Sequence, residues 1–282
     1  MRHAAWVGLL ALAASASLAG ADEWSRQYAI QGRPELRLST DDGSVRVEVG
    51  TGPQIEAQVT TEGWTIGPGE VTVTESQTGD RVVIEVRLPR RFSMFGHRGR
   101  RSVKLVVRVP SEADLDIRTG DGSVELAPIS GRVTVSTGDG SISAEGLRGE
   151  IRLHTGDGSI RATGLDGRLQ ADTGDGSMRV RGRFESLDLR TGDGRIEAEV
   201  ESGSKVSAAW SLSSGDGGIT LRIPEDLGAE LDARAGDGRV VVDVPVTVTG
   251  KVSRSAVRGK LAGGGGSLRL HTGDGSIRLQ RR

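Results

Sequence analysis

The 282-residue chain contains no cysteine, and aromatic residues make up only 3% of it. Disulfides and thiolate metal sites are therefore excluded, so stability must come from backbone pairing and the packing of aliphatic side chains. Neither sign of charge dominates, since 37 Lys and Arg stand against 38 Asp and Glu. Nucleic-acid-binding proteins show a strong basic excess. We therefore expect no nucleic-acid partner.

Long apolar runs are absent after the first twenty residues. Arg2 and His3 precede an apolar stretch from Ala4 to Leu18, and Ala19-Gly20-Ala21 fits the small-x-small cleavage rule. We interpret residues 1–21 as a signal peptide cleaved near Ala21. The sequence thus predicts an extracytoplasmic protein, either periplasmic or secreted to the cell surface, without a transmembrane segment.

Glycine is abundant, with 43 residues, and much of it belongs to one repeated hexapeptide. TDDGSV begins at Thr40, and eight further copies such as TGDGSI and SGDGGI follow between Thr119 and the C terminus. The copies from Thr119 to Thr191 are spaced by 18 residues at every step. The later spacings are 23, 21 and 37 residues, which indicates insertions in the last units.

Each 18-residue unit shows the period-2 alternation of half-buried strands. In the unit from Ser141 to Gly158, apolar residues such as Ile142, Ile151 and Leu153 alternate with polar ones. Gly-Asp-Gly permits a tight corner. A meander of hairpins would reverse direction at each turn and rarely holds one fixed period. The pattern therefore favours an all-β, parallel β-solenoid with coils of about 18 residues, stacked about 4.8 Å apart.

The two parts of the chain after the leader differ in regularity. Residues 22–110 contain strong strands joined by ordinary turns and predict a β-rich N-terminal cap with the first rung, where a rung is one coil of the stack. Residues 111–282 predict the GDGS-repeat solenoid. The glycine run before Ser267 is expected to be a flexible loop, followed by strands that close the C-terminal end.

The GDG(S/R)(I/V) corners behind a leader, with the terminal stretch RGKLAGGGGSLRLHTGDGSI, resemble a bacterial β-strand-repeat family known as "putative adhesins". The resemblance covers nearly the whole mature chain. It implies an extracytoplasmic β-solenoid linked to adhesion or to cell-envelope stress, with no catalytic residues to transfer.

The repeated aspartates form the first candidate site. Stacking would place one carboxylate per rung in a column, where neighbouring charges repel. Calcium could offset that repulsion, but one carboxylate per rung is a poor ligand set for a cation that takes six to eight oxygens. We expect each carboxylate to accept backbone N–H groups of its own turn and no cofactor to be required, with calcium as the alternative. The column consists of Asp121, Asp139, Asp157, Asp175 and Asp193.

Catalysis finds little support in the pattern. The outward residues before each corner do not converge on a carboxylate pair or on a Ser-His-Asp arrangement. His154 and His271 both directly precede TGDGSI, a position that Arg, Ser or Asp occupies in other units. We therefore expect a protein that is not an enzyme.

The segment PRRFSMFGHRGRR, residues 89–101, combines five arginines with two of the chain's three phenylalanines and has no acid. A basic loop with an apolar tip suits an anionic lipid surface or an acidic envelope partner. The alternative is a hairpin loop that folds onto the cap, with solvated arginines. The candidate contact residues are Arg90, Arg91, Phe92, Phe95, Arg98, Arg100 and Arg101.

The expected function is thus a non-enzymatic binding or structural module at the bacterial cell envelope, adhesin-like or associated with envelope stress. A calcium-stabilised adhesive solenoid is the first alternative. A polysaccharide-active β-helix enzyme is the second.

Overall fold

A computed structural model describes residues 21–89, 101–207, 209–249 and 253–282 of the chain. These residues contain 23 strands that belong to one continuous sheet. The prediction of an all-β fold is confirmed, and the architecture is solenoid-like. The strands are β1 (Ala21–Ala29), β2 (Glu35–Thr40), β3 (Ser44–Val49), β4 (Gln54–Glu62), β5 (Thr72–Thr78), β6 (Arg81–Arg87), β7 (Ser102–Val109), β8 (Asp114–Thr119), β9 (Val124–Leu126), β10 (Ser130–Thr137), β11 (Ile142–Glu145), β12 (Arg148–Thr155), β13 (Ile160–Thr173), β14 (Met178–Thr191), β15 (Ile196–Val200), β16 (Trp210–Ser214), β17 (Ile219–Ile223), β18 (Ala229–Ala235), β19 (Val240–Asp243), β20 (Val246–Val248), β21 (Ala256–Leu261), β22 (Ser267–Thr272) and β23 (Ile277–Arg281).

Two faces are formed because each unit turns at its Gly-Asp-Gly corner. The strands that end at the corner make one face, which we call the pre-corner face, and the strands that follow the corner make the post-corner face. On the pre-corner face β10 and β12 run parallel with Thr137 opposite Thr155, an offset of 18 residues. On the post-corner face Ile142 lies opposite Ile160 with the same offset. Equal offsets on both faces keep successive corners above one another.

The core lies between the two faces and consists of aliphatic side chains from every rung. Alternate residues of β12 and β14 are buried, as their patterns of polar and apolar residues predict. Phe184 and Trp210 are fully buried and pack edge to face, with ring centroids 6.4 Å apart. These two rings lie in the core near the irregular segment between β15 and β16.

A ladder of hydroxyl groups follows the inner side of the corners. Thr155 is buried, and its Oγ1 donates to the carbonyl of Gly140 one rung away at 2.8 Å. The same Oγ1 accepts from the backbone N–H of Gly158 at 3.2 Å. Thr173, Thr191, Ser214 and Thr272 repeat the donation to the preceding rung at distances of 2.7–2.9 Å. These side-chain hydrogen bonds join neighbouring corners, where the backbone hydrogen bonds between strands do not continue.

Glycine is required at these corners because neighbouring rungs approach closely. A Cβ atom on Gly158 would lie 2.1 Å from the carbonyl oxygen of Gly140, and one on Gly176 would lie 1.9 Å from that of Gly158. Backbone atoms cannot move aside as a flexible side chain does. The repeated glycines are therefore required by packing between rungs.

The N-terminal rungs are not stacked in chain order, a feature that the predicted cap over residues 22–110 did not include. β2 pairs in parallel with β8, so that Thr40 lies opposite Thr119 although 79 positions separate them. On its other side β2 pairs with β6, and β3 pairs with both β7 and β9. The rung of β2 and β3 is thus internal, and the rung of β6 and β7 lies outside it. Antiparallel strands β1, β4 and β5 cover the end.

The C-terminal end shows the same intercalation, and the prediction that the last strands close this end is wrong. β22 lies between β16 and β18, and β23 lies between β17 and β19. The outermost rung is that of β18 and β19, beside which β21 and β20 run antiparallel. These antiparallel strands cover the edge that the outermost parallel rung would otherwise leave open.

Replacement of Thr155 by valine tests the hydroxyl ladder. The change keeps the shape of the side chain but leaves the Gly140 carbonyl and the Gly158 N–H without their hydroxyl partner, at a cost of about 1–3 kcal/mol. Thr119 is the matched control, since among the described residues its buried Oγ1 has no partner. We expect urea unfolding to show a clear loss for Thr155→Val and none for Thr119→Val. Equal losses would contradict the ladder.

Paired cysteines test the order of the C-terminal rungs, in a chain that has no cysteine of its own. Ser213 lies opposite His271 in the adjacent strand, at about 4.8 Å, whereas Arg234 lies one strand further. We expect Ser213→Cys with His271→Cys to form a disulfide on mild oxidation. Ser213→Cys with Arg234→Cys lies beyond disulfide reach, about 7 Å between Cα atoms. The opposite result would place the last strands at the end of the stack.

Candidate functional site

The aspartates of the corner column are all exposed, at Asp121, Asp139, Asp157, Asp175 and Asp193. The expectation that each accepts backbone N–H groups of its own turn is wrong for these five. Such a bond is found at Asp42, whose Oδ1 accepts from the N–H of Gly43 at 2.5 Å. Elsewhere the glycine contacts and the hydroxyl ladder define the corner, so the carboxylates project into solvent.

Metal-ligating groups are not clustered in the part of the chain that the structure describes. There, no three His, Asp or Glu side chains lie close enough together to hold an ion. The column offers one carboxylate per rung, at a spacing of about 4.8 Å. Calcium binding at the column therefore stays a hypothesis for experiment.

Most of the arginine-rich segment lies outside the described residues, namely Arg90, Arg91, Phe92, Phe95, Arg98 and Arg100. The position of its two ends is defined. β6 ends at Arg87 and β7 begins at Ser102, and both strands belong to the outermost N-terminal rung. Val86 lies opposite Thr40, and Leu105 lies opposite Val45. The two strands that flank the segment therefore correspond to the two strands that flank a Gly-Asp-Gly corner in the next rung.

Arg101 is the one candidate of this segment that the structure places. Its guanidinium carbon lies 4.3 Å from the centroid of the Trp64 ring, within the range of a cation–π contact. Trp64 is half-buried, and so is Trp24 on β1. The backbone N–H of Leu88, at the other end of the segment, donates to the carboxylate of Asp41 at 2.9 Å. Both ends of the segment are thereby held against the outer rungs.

Sequence reasoning missed the two tryptophans of this end. Each stands alone in the sequence, 40 positions apart, and they share one end because β1 and β4 pair antiparallel. Close by, Arg26 pairs with Glu75 at 3.0 Å, and the buried Tyr28 hydroxyl donates to the same carboxylate. Burial and this carboxylate raise the pKa of Tyr28. The rarity of aromatic residues was the signal that could have identified them.

The two faces carry outward arginines and carboxylates that pair within or between rungs. Examples are Arg190 with Asp188 at 2.8 Å and Arg234 with Asp232 at 2.8 Å on the pre-corner face. Desolvation, with the nearby Asp172, raises the pKa of Asp188, although Arg190 opposes the shift. Exposed pairs of this kind contribute little to stability. They give each face a pattern of alternating charge.

The two histidines of the repeat lie on the pre-corner face. His154 stands opposite Asp172, and His271 lies between Ser213 and Arg234 of adjacent strands. Both are exposed. They occupy ordinary outward positions of the repeat.

Within the described ranges, interrupted at 90–100, 208 and 250–252, no helix has the length and apolarity that crossing a bilayer requires.

Comparison with solved structures gives distant similarities. A "putative adhesin" from Parabacteroides merdae ATCC 43184 is 10% identical, with 92% of this chain and 96% of that chain covered and a TM-score of 0.48. A "putative lipid binding protein" from Parabacteroides distasonis ATCC 8503 is 12% identical over 92% and 96%, with a TM-score of 0.47. A "putative cell adhesion protein" from Clostridium sporogenes ATCC 15579 is 13% identical over 92% and 99%, with a TM-score of 0.32. Similarity at this level carries no conclusion about function.

No curated protein matches the chain. The family model "Toastrack DUF4097" matches residues 34–280, which include the corner-bearing rungs, the intercalated rungs at both ends and the arginine-rich segment. The resemblance to a bacterial family of β-strand repeats is thereby confirmed, and the chain belongs to the Toastrack family.

Proposed function

We propose that this chain is a non-enzymatic binding module of the bacterial cell envelope, located outside the cytoplasm after removal of its leader. The stacked rungs act as a rigid solenoid of 18-residue coils that holds one end in place for docking. The leader-like sequence of residues 1–21 supports the location. The fully buried aliphatic core of consecutive rungs supports the rigidity.

The observation that carries this proposal is the contact of Arg101 with Trp64 at the N-terminal end. It fixes one end of the arginine-rich segment beside the half-buried Trp64. Tryptophan is favoured where one side of a ring is apolar and the other is wet, as at a bilayer surface. Arginine adds attraction of about 1 kcal/mol for each residue near an anionic membrane. The N-terminal end therefore combines the two chemistries that a peripheral membrane contact uses.

Co-sedimentation with lipid vesicles tests the docking role. We expect binding to anionic vesicles at low salt, weak binding to neutral vesicles, and release at high salt. A variant with five arginines changed to serine should bind anionic vesicles more weakly by roughly three orders of magnitude. The five positions are Arg90, Arg91, Arg98, Arg100 and Arg101.

The matched control removes the same charge from the pre-corner face and its β21 extension, where each arginine pairs with a carboxylate. We expect this variant to bind like the unaltered protein. Equal, negligible binding by all three proteins, or equal losses in both variants, would contradict docking through the segment. The control positions are Arg118, Arg152, Arg190, Arg234 and Arg258.

A calcium-stabilised solenoid is the second candidate, favoured by the solvent-facing column of carboxylates. Under the main proposal the column is a row of mutually repelling charges. Asp157→Asn should then raise stability by up to about 1 kcal/mol at low salt, which is a shift of about 2–4 °C in Tm. Thermal unfolding in EDTA measures this shift, and Asp226→Asn, outside the column, is the control.

Calcium distinguishes the two candidates in the same assay. We expect millimolar calcium to raise Tm by less than about ten degrees over EDTA, because one carboxylate per rung supplies few of the six to eight oxygen ligands that calcium takes. A larger rise that Asp157→Asn reduces would favour the calcium-stabilised solenoid. The third candidate, a polysaccharide-active enzyme, would be supported by release of reducing ends from envelope glycans by the purified protein.

A further inference from the structure

The post-corner face carries a groove of about 640 Å³ that extends across four consecutive rungs. It follows β11, the beginnings of β13 and β14, and β15, which pair in parallel in that order. The side chains that make its floor and rims point outward, opposite the buried Ile142, Ile160 and Met178. The groove runs along the stack, across the strands, and suits an extended ligand.

Small side chains explain why the groove lies at these rungs. Ser141, Ser159 and Ser177 occupy the same corner position in three successive rungs, and all three are exposed. The next rung has Arg195 at that position, which closes one end of the floor. Beyond the other end, Arg46 and Glu125 form an ion pair. The serine floor is therefore open in its middle and bordered by larger side chains.

Two of the three serine hydroxyls are oriented by the backbone of the next rung. Ser141 Oγ accepts from the N–H of Ser159 at 3.3 Å, and Ser177 Oγ accepts from the N–H of Arg195 at the same distance. Acceptance uses a lone pair and leaves each hydroxyl proton available to a ligand. With Ser159 between them, the three serine hydroxyls repeat at the rung spacing of about 4.8 Å, which is comparable with the length of one sugar ring.

One rim of the groove is basic. Arg161 and Arg179 lie opposite each other in adjacent strands and are exposed. Arg179 pairs with Glu197 at 3.0 Å, whereas Arg161 has no carboxylate within ion-pair distance among the described residues. Arg195 approaches the same Glu197 at 3.9 Å. Two of the three arginines thus share one carboxylate and the third has none, so the groove has an excess of positive charge.

The opposite side of the floor adjoins the corner column. Asp139, Asp157 and Asp175 precede the three serines by two positions each, and they do not line the groove. A ligand with negative charge on every side would be repelled from that edge. A ligand with hydroxyl groups on one edge and acidic groups on the other satisfies both sides. This arrangement favours an acidic sugar polymer over a polyphosphate.

We propose that this groove binds a linear acidic glycan along the axis of the solenoid. The serine hydroxyls donate to its ring and hydroxyl oxygens, and Arg161 and Arg179 bind its carboxylates. This site is separate from the arginine-rich segment, so the result of the vesicle experiment neither supports nor contradicts glycan binding in the groove.

Calorimetric titration of the purified protein with hexagalacturonate in EDTA tests the proposal. We expect binding of hexagalacturonate and none of maltohexaose, a neutral sugar of the same length. Arg161→Ser with Arg179→Ser should raise Kd about tenfold or more. Ser159→Trp should abolish binding, because the indole ring fills the groove without changing its charge.

The controls carry the same changes on the pre-corner face. Arg152→Ser with Arg190→Ser removes equal charge, and Ser136→Trp adds equal bulk. Both should leave Kd unchanged. Circular dichroism of each variant confirms folding. The proposal is overturned if hexagalacturonate does not bind, if the control variants lose binding equally, or if inorganic polyphosphate binds as tightly at the same arginines.

Discussion

The close approach of one Gly-Asp-Gly corner to the next is the constraint on which the rest of this structure depends. A corner glycine lies so near the carbonyl of the glycine below it that no side chain fits. At six of the nine corners a buried hydroxyl before the corner then connects the two backbones, as Thr155 does with Gly140. With corners fixed in register, the strands on both faces pair at an 18-residue offset in the regular rungs from Thr119 to Thr191, and inward positions there stack on like positions. The continuous core and the outward rows of charged side chains are both consequences of this stacking.

The same constraint leaves the order of the rungs open, and both ends of the molecule use that freedom. Because the corners are nearly identical, the rung of β22 fits on that of β16 as well as the next one in the chain would. Intercalation holds the rungs of β2 and β22 between two neighbours. The outermost rungs are completed by antiparallel strands, which end the parallel stack. An end rung can therefore carry a different connection without loss of register, as between β6 and β7, which are linked in the sequence by the arginine-rich segment.

The regular part of the fold could be predicted from the sequence, since the 18-residue period, the alternation of apolar residues and the turn-forming corners all act within one unit. The rung order could not, because it depends on how the linking segments between units fold back. One signal was present. Of the nine corners only the copy at Ala235 lacks a hydroxyl, and its rung is the outermost at the C-terminal end. The N-terminal end gives no such signal in the sequence. Thr40 has the hydroxyl, but in the structure it donates within its own turn, to the carbonyl of Asp42 at 2.6 Å.

The candidate sites divide in the same way. Residues 89–101 stand out by composition alone, whereas the Arg101 contact with Trp64 needs the antiparallel cap that brings β4 beside β7. The serine floor repeats visibly in the sequence, yet its groove depends on which larger side chains border it in neighbouring rungs. The solvent-facing carboxylates of the column could not be foreseen, because the close glycine contacts already define the turn that an aspartate often stabilises elsewhere.

Hydrogen exchange at the corner glycines tests the central claim most directly. The N–H of Gly158 donates to Thr155 Oγ1, and that of Gly156 donates to the carbonyl of Gly138 in the neighbouring rung at 2.5 Å. If the corners hold the stack in register, these amides should be protected as strongly as those of the adjoining strands. Exchange as fast as at the open turn of Gly69 would show that the corners are loose connections, and that the strands alone hold the rungs together.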